Sequence, residues 1–288
     1  MPGPYLAGGV LYGAASDEEQ GVRHIRVDSA SDLCLLRGSK YLQSRTGDTF
    51  SQARADLEAG RTVLYSGTAC QIAGLKRFLV RDYEKLYTVD VLCHGVPSPA
   101  VWKKYLEWQV KRHGAGSVQR VFFRNKDHGW KRFAMELVFD NGRTYTKVHR
   151  EDPFMQMFLG NICLRPSCHA CRFKGLDRPS DLTIGDAWGV DSVEPGMDDD
   201  KGTSVILIHS AGGEKLLAEA AQGIRLRRTE VERILPPSAD SRKSVAPHPG
   251  RKKFFRALNL LGTGVFSLWR FRNTAGRIKR KAEKLAGR

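Results

Sequence analysis

Thr62-Val63-Leu64-Tyr65-Ser66-Gly67-Thr68-Ala69-Cys70-Gln71 is the stretch that decides the fold. Its first four residues, β-branched, aliphatic and aromatic, read as a short buried strand. The small residues that follow turn the chain into a helix, with Ile72, Leu75 and Leu79 recurring on one face. A second unit of the same kind comes next. Leu86 to Leu92 is a strand, and Cys93-His94-Gly95-Val96-Pro97-Ser98-Pro99 leads into a helix. Ser98 is a good N-cap and Pro99 a good first helical residue. Trp102, Leu106 and Val110 fall on one face of that helix. Two strand-to-helix units in succession predict parallel neighbours in an α/β sheet.

Toward the amino end, Gly8 to Ala15 and His24 to Val27 read as short strands, Ser29 to Asp32 begins a helical stretch, and Phe50 to Ala59 reads as a helix stopped by Gly60. Toward the carboxyl end, Val121–Phe123, Phe133–Phe139 and Arg143–Val148 are strands. Asp140-Asn141-Gly142 is a strong hairpin turn between the last two. Asp152-Pro153 opens a helix through Leu159, a cysteine-bearing loop spans 161–180, Leu182–Ile184 and Ser204–Ile208 are strands, and Glu214–Gln222 is a helix. The fold class expected is α/β: a mixed sheet with βα units and a β-hairpin, plus a basic C-terminal helix. We expect one domain over 1–235, a Pro/Ser-rich linker over 236–250, and a basic amphipathic helix over 251–288.

At 41% hydrophobic and 27% charged residues the chain can build a core, which excludes a low-hydrophobicity disordered class. The net charge of +16 is mostly a tail property: residues 251–288 hold twelve Lys/Arg against one acid, Glu283. Ala257–Trp269, the longest apolar stretch, is too short to span a membrane and is broken by Gly262 and Gly264. Met1 to Gly8 lacks the pattern of a signal peptide. A cytoplasmic location is expected, where six cysteines read as thiols or metal ligands rather than a disulfide framework.

Each strand-to-helix unit carries a cysteine just past its strand. If the strands are parallel neighbours, Cys70 and Cys93 face the carboxyl edge of the sheet, where open α/β sheets bind ligands. Cys70 also adjoins a helix N-terminus, whose partial positive charge suits a thiolate ligand. Farther along, Cys163-Leu164-Arg165-Pro166-Ser167-Cys168-His169-Ala170-Cys171 contains a Cys-x-x-Cys pair, the spacing that lets one centre take two ligands from one turn. Cys70, Cys93, Cys168 and Cys171 together make four thiolates, suited to a 4Fe-4S cluster or a structural zinc. The plain alternative is that all six are buried thiols. Cys34, in an apolar helical stretch, reads as core, and Cys163 as a fifth nearby thiol or a substitute ligand.

Gly38-Ser39-Lys40-Tyr41-Leu42-Gln43-Ser44 combines backbone donors, hydroxyls, a cation and an aromatic. Such a loop can hold phosphate or an isoalloxazine ring, or can be an ordinary turn. Lys201-Gly202-Thr203-Ser204 before a strand is a smaller anion cradle. Phe123-Arg124-Asn125-Lys126-Asp127-His128-Gly129-Trp130 is a basic loop with aromatic neighbours. No dinucleotide fingerprint, Walker A loop, zinc-protease motif or nucleophile elbow is present.

Taken in chain order, Gly38–Ser44, Ser66–Lys76, Cys93–Ser98, Phe123–Lys126 with Gly129-Trp130, Leu164–Cys168 with Cys171 and Phe173-Lys174, Ser180–Gly189 and Lys201–Ser204 resemble the motifs of the coenzyme F420 hydrogenase/dehydrogenase beta-subunit family. The resemblance runs from about Gly9 to about Ile208. It implies an iron–sulfur flavoprotein oxidoreductase that passes electrons between a 4Fe-4S cluster and FAD. By resemblance, Cys70, Cys93, Cys168 and Cys171 hold the cluster, while Gly38, Ser39, Lys40, Tyr41, Ser44, Arg124, Lys126, Gly202, Thr203 and Ser204 lie around the flavin. Two departures stand out. The proline usual before the first cysteine is Ala69 here, and the amino-terminal ferredoxin-like segment of longer members is lacking. Two readings of the second departure stand: the chain is a fragment, or a ferredoxin or ferredoxin-like partner subunit is expected to deliver electrons.

In the tail, Phe254, Leu258, Leu261, Val265 and Leu268 recur at helical spacing among basic residues, and Arg277 to Lys284 adds a denser basic run. Such a helix can dock on its own domain, or lie on an anionic membrane surface as a peripheral contact. No RNA-type aromatic motif or DNA-binding module supports a nucleic-acid partner. The alternative function from a different class is a zinc-stabilised, non-catalytic module that binds a membrane surface or nucleic acid through this tail.

Overall fold

The computed structural model describes residues 8–269. In chain order its elements are β1 (Val10–Ser16), β2 (Val22–Val27), α1 (Thr49–Glu58), β3 (Val63–Thr68), α2 (Ala69–Leu79), β4 (Leu86–Val91), α3 (Pro99–His113), β5 (Val118–Asn125), β6 (Ala134–Phe139), β7 (Thr144–Val148), α4 (Pro153–Leu159), β8 (Leu182–Asp186), α5 (Val190–Val193), β9 (Ser204–Ile208), α6 (Ala211–Ala220), α7 (Val231–Ile234) and α8 (Arg251–Leu261). They fall into two compact units. Among the described residues, the first holds Gly8–Gly95, Gly129–Lys131 and Ser167–Val245; the second holds Val96–His128, Arg132–Pro166 and Ala246–Trp269. The expected basic run Arg277 to Lys284 lies outside the described residues.

The first unit is a six-stranded mixed sheet in the order β2-β1-β3-β4-β8-β9. Strands β1, β3, β4 and β8 are parallel, and the two outer strands, β2 and β9, run antiparallel to their neighbours. The expected α/β class and its two βα units are thus present. Helix α2 forms because Thr68 and Gln71 make a capping box at its start, which satisfies amides the helix leaves open. Its Ile72, Leu75 and Leu79 face is buried against Val63 and Tyr65 of β3 and Ala53 and Leu57 of α1. Burial of a side chain such as Ile72 stabilises by about 1.5–3 kcal/mol. On the other side, Leu216 of α6 packs with Tyr87 and Leu182.

The helical stretch after Ser29 is a short 3-10 segment, Ala30–Leu36, with no buried residue. Ser29, Ser31 and Asp32 bond one another through their side chains, which competes with a regular helix. This overturns the core reading of Cys34, which is exposed.

The second unit carries a separate antiparallel sheet, β5-β6-β7. Its last two strands join at the expected hairpin, where Gly142 takes φ +77 and the Phe139 amide bonds the Arg143 carbonyl at 2.9 Å. Helix α3 buries Val101, Trp102, Tyr105, Trp108 and Gln109, so its inner face is more aromatic than the expected Trp102–Leu106–Val110 line. The larger rings win the interior because they remove more apolar area from water. Asp152 caps α4 by accepting from the Met155 amide at 2.8 Å, and also accepts from the hydroxyls of Tyr105 at 2.6 Å and Tyr145 at 3.0 Å. Phe254 and Leu258 of α8 are buried while Leu260 and Leu261 are exposed. The Arg251 guanidinium donates to the Ile162 carbonyl at 2.9 Å. Among the described residues, no helix is long and apolar enough to cross a membrane.

Candidate functional site

The register of the first sheet explains how distant cysteines reach one edge. Thr68 pairs with Val91 across β3 and β4, and Val91 with Ile184 across β4 and β8. Cys70 and Cys93 each stand two residues past the Thr68–Val91 pair, at the carboxyl ends of parallel neighbours. Beyond β4 the chain leans over β8: the Leu92 amide donates to the Ile184 carbonyl at 2.8 Å. Gly185 makes that approach possible, since a Cβ there would lie 2.6 Å from the Leu92 side chain. Gly95, at φ +142, then turns the chain.

Cys70 is the second residue of α2 and is exposed; the Thr68 hydroxyl lies 3.1 Å from its sulfur. Cys93, Cys168 and Cys171 are half-buried, and none of the six cysteines is in a disulfide. Burial pushes the Cys93 thiol up to about 11, Lys174 pulls it down, and the charges of Cys70 and Cys168 push it up. Burial lowers the Lys174 pKa, against the opposing charges of Cys93 and Cys171. The four thiols therefore share one electrostatic neighbourhood within the first unit. Among the described residues, no three His, Cys, Asp or Glu side chains converge tightly enough to hold a single metal ion. Cys163 belongs to the second unit, fully buried between Ile162 and Leu164, and burial pushes its thiol up to about 12. Those surroundings fit a structural thiol.

The Cys168/Cys171 loop is pinned by the segment that follows α7. The Gly175 amide donates to the Ser241 carbonyl at 3.1 Å and the Ser244 hydroxyl to the Cys171 carbonyl at 3.0 Å. His169 Nδ1 lies 3.0 Å from the Val245 carbonyl, to which it must donate. Lys174 Nζ donates to the Asp240 carbonyl at 2.7 Å and the His94 carbonyl at 3.4 Å.

The Gly38–Ser44 loop is built beside the end of β3. Lys40 Nζ is folded back on the carbonyls of Leu36, Arg37 and Gly38. Ser44 is buried and anchored through two residues that sequence reasoning missed, His24 and Gln71. His24 Nε2 lies 2.8 Å from the Ser66 carbonyl, so it carries the proton; Nδ1, 2.7 Å from Ser44 Oγ, then accepts from that hydroxyl. Burial lowers the His24 pKa, in keeping with a neutral ring. Gln71 Nε2 donates to Ser44 Oγ at 2.9 Å and to the Ser44 carbonyl at 3.1 Å, while its Oε1 accepts from Thr68. A Gln three residues into a βα turn was the available signal, since it completes the capping box.

On the far side of the cysteines, Ser204 pairs with Asp186, at the carboxyl end of β8. Gly202 takes φ +115, and the Thr203 hydroxyl donates to the Met197 carbonyl. Val91 and Ile184, register partners at this edge, are both exposed. Trp130 is buried, donates through Nε1 to Asp186 at 3.2 Å and stacks on Trp188 with centroids 4.5 Å apart. The two glycine loops thus flank the cysteines along one edge of one sheet. Arg124 and Lys126 belong to the second unit, where the Arg124 guanidinium lies over the Phe133 ring at 4.7 Å from its centroid.

A family model for the C terminus of the coenzyme F420 hydrogenase/dehydrogenase beta subunit matches residues 60–233. A solved chain from "Xenon derivatization of the F420-reducing NiFe hydrogenase complex from Methanosarcina barkeri" is similar at 17% identity with a TM-score of 0.48, over 96% of this chain and 82% of that one. No curated protein matches the sequence. Residues 60–233 include β3, α2, β4, β8, β9 and all four edge cysteines, and the chain belongs to the coenzyme F420 hydrogenase/dehydrogenase beta-subunit family, an oxidoreductase family.

Proposed function

We propose that this chain is an iron–sulfur flavoprotein subunit in which Cys70, Cys93, Cys168 and Cys171 ligate a 4Fe-4S cluster and the two glycine loops bind FAD beside it. The observation that carries the reading is geometric: Cys70 and Cys93 stand just past a register pair of parallel strands, Lys174 ties the Cys93 turn to the Cys168/Cys171 loop through the His94 carbonyl, and none of these thiols is in a disulfide. A cubane takes each thiolate on a separate iron, so its ligands stand wider apart than those of one zinc ion.

When bound, the cluster supplies one-electron and the flavin two-electron redox chemistry. The protein's part is position and field. The capping box fixes the start of α2 and hence Cys70, and the Asp240–Val245 segment holds the Cys168/Cys171 loop. The His24–Ser44–Gln71 network sets the end of the Gly38–Ser44 loop, whose backbone amides would meet a phosphate. Exposed Val91 and Ile184 offer apolar surface for a ring system, and Gly202–Ser204 a second anion cradle. Arg124 and Lys126 join the flavin set on the family resemblance alone.

Electrons would come from a ferredoxin or a ferredoxin-like partner subunit, in the cytoplasm, where thiolate clusters persist. A peripheral membrane contact through α8 would use Leu260 and Leu261, which are exposed, and not Phe254 and Leu258, which are buried. The deciding experiment is anaerobic purification of the full chain with iron, sulfide, zinc and flavin analysis. About four irons and one released FAD per chain are expected. Stoichiometric zinc without iron would reject the proposal in favour of a zinc-stabilised module.

A further inference from the structure

Lys174 lies three residues beyond Cys171, yet its amino group reaches two other segments. It donates to the carbonyl of His94, the residue after Cys93, and to the carbonyl of Asp240. One ammonium therefore ties the Cys93 turn, the Cys168/Cys171 loop and the Asp240–Val245 segment together. These bonds use main-chain acceptors, so they fix chain paths rather than side-chain rotamers. The ammonium therefore sits between the turn that carries Cys93 and the loop that carries Cys171, although burial lowers its pKa. Other charged or titratable groups also face this point. Arg178 acts on Lys174, and its Nη1 donates to the Phe173 carbonyl at 2.9 Å. His94 Nδ1 lies 3.7 Å from the Asp240 carboxylate, which is largely exposed and so well screened.

We infer that Lys174 is a positioning residue of the cysteine site: it sets the spacing between Cys93 and the Cys168/Cys171 loop and raises the reduction potential of the centre they hold. This rests on the cluster reading above. The reduction concerned adds one electron to the oxidised cluster from an external reductant and breaks no bond. It increases the negative charge of the cluster–thiolate assembly, and a fixed neighbouring cation stabilises the more negative state. Net charge, hydrogen bonding and solvent exposure are the protein's levers on such potentials. Lys174 acts on charge directly, and on exposure through the segment it ties down.

The test compares the full-length wild type with Lys174→Met, Lys174→Gln and Lys174→Arg. All are loaded anaerobically with ferrous iron and sulfide, checked for fold by circular dichroism, and titrated by electron paramagnetic resonance with dithionite-poised mediators. The Gln variant keeps a donor without the charge; the Arg variant keeps the charge. In Met and Gln the reduced-to-oxidised ratio at fixed poise should fall about tenfold or more, 59 mV for a one-electron couple, with Arg within about threefold of wild type. Folded Met and Gln variants that take up no iron while Arg does would support the positioning role equally. Loaded Met and Gln variants within threefold of wild type would overturn the inference, as would loss of fold in both. A wild type that binds zinc or no metal sinks the cluster reading, and this inference with it.

Discussion

Replacing Ser44 by alanine tests whether the Gly38–Ser44 loop is held as the geometry indicates. Ser44 Oγ gives its proton to His24 Nδ1 at 2.7 Å and accepts from Gln71 Nε2 at 2.9 Å. Without the hydroxyl, His24 Nδ1 is left buried with no donor, while Gln71 Nε2 keeps the Ser44 carbonyl at 3.1 Å. An unsatisfied buried acceptor costs about 1–3 kcal/mol, so Ser44→Ala should destabilise by that amount, with the Gln71 side adding little. Urea unfolding of the apo chain at pH 7, followed by far-UV circular dichroism, measures it as a lower midpoint at an unchanged slope. A cycle with Gln71→Leu adds the coupling. Residues in one hydrogen-bond network should depart from additivity by about 0.5–3 kcal/mol, whereas independent sites add within about 0.5 kcal/mol. A Ser44→Ala loss below about 0.5 kcal/mol with an additive cycle would show that the network does not hold the loop. FAD affinity should fall in the same variant if the loop binds the cofactor.

His24 is held neutral, its pKa pushed below the ordinary 6.5 by burial. Below 6.5 the unfolded chain takes up a proton that the folded ring refuses, so stability should fall as pH drops through that window; His24→Gln should flatten this part of the urea-midpoint profile. Asp152 behaves oppositely, because burial pushes its carboxyl up to about 6 from 3.8. The folded state then keeps a proton the unfolded state has lost, stability should decline as pH rises between those values, and Asp152→Asn should remove the decline in thermal melts. Among the cysteines, Cys93→Ser and Cys171→Ser should each lose most iron on anaerobic reconstitution, while Cys34→Ser keeps it; equal retention in all three would break the ligand assignment.

The βα units were readable because their signals are local. A β-branched strand, a small-residue turn and a helix with a three-to-four spacing leave a pattern within about twenty residues. Parallel pairing of β3 and β4 followed from that pattern, and with it the common edge of Cys70 and Cys93. Cys34 misled because apolar neighbours suggested a buried helix, while its hydroxyl-rich start favours a short 3-10 segment that buries nothing. His24 was illegible as an anchor, since its role depends on the register that brings β2 near Ser66 and Ser44. The Asp240–Val245 segment is harder still. Three of its bonds to the cysteine loop use its own carbonyls, at Asp240, Ser241 and Val245, and a carbonyl is the same in every residue. A Pro/Ser-rich composition says nothing about such contacts.

The departure at Ala69 can be weighed in the same terms. Ala69 is the first residue of α2, directly before Cys70, and is buried. Proline suits a first helical position because the amide it lacks has no intrahelical partner there and its φ is already helical. Alanine loses that pre-organisation but is the best helix former in every other respect. The start of α2 does not depend on position 69 in any case, because Thr68 and Gln71 close the capping box around it. Substituting proline with alanine therefore leaves the turn, and the placement of the Cys70 sulfur, to a reciprocal pair of side chains that are both present. Gln71 serves twice over, its Oε1 capping the helix that presents Cys70 and its Nε2 anchoring Ser44. One side chain thus links the placement of a cysteine to the placement of the glycine loop, whichever residue precedes the cysteine.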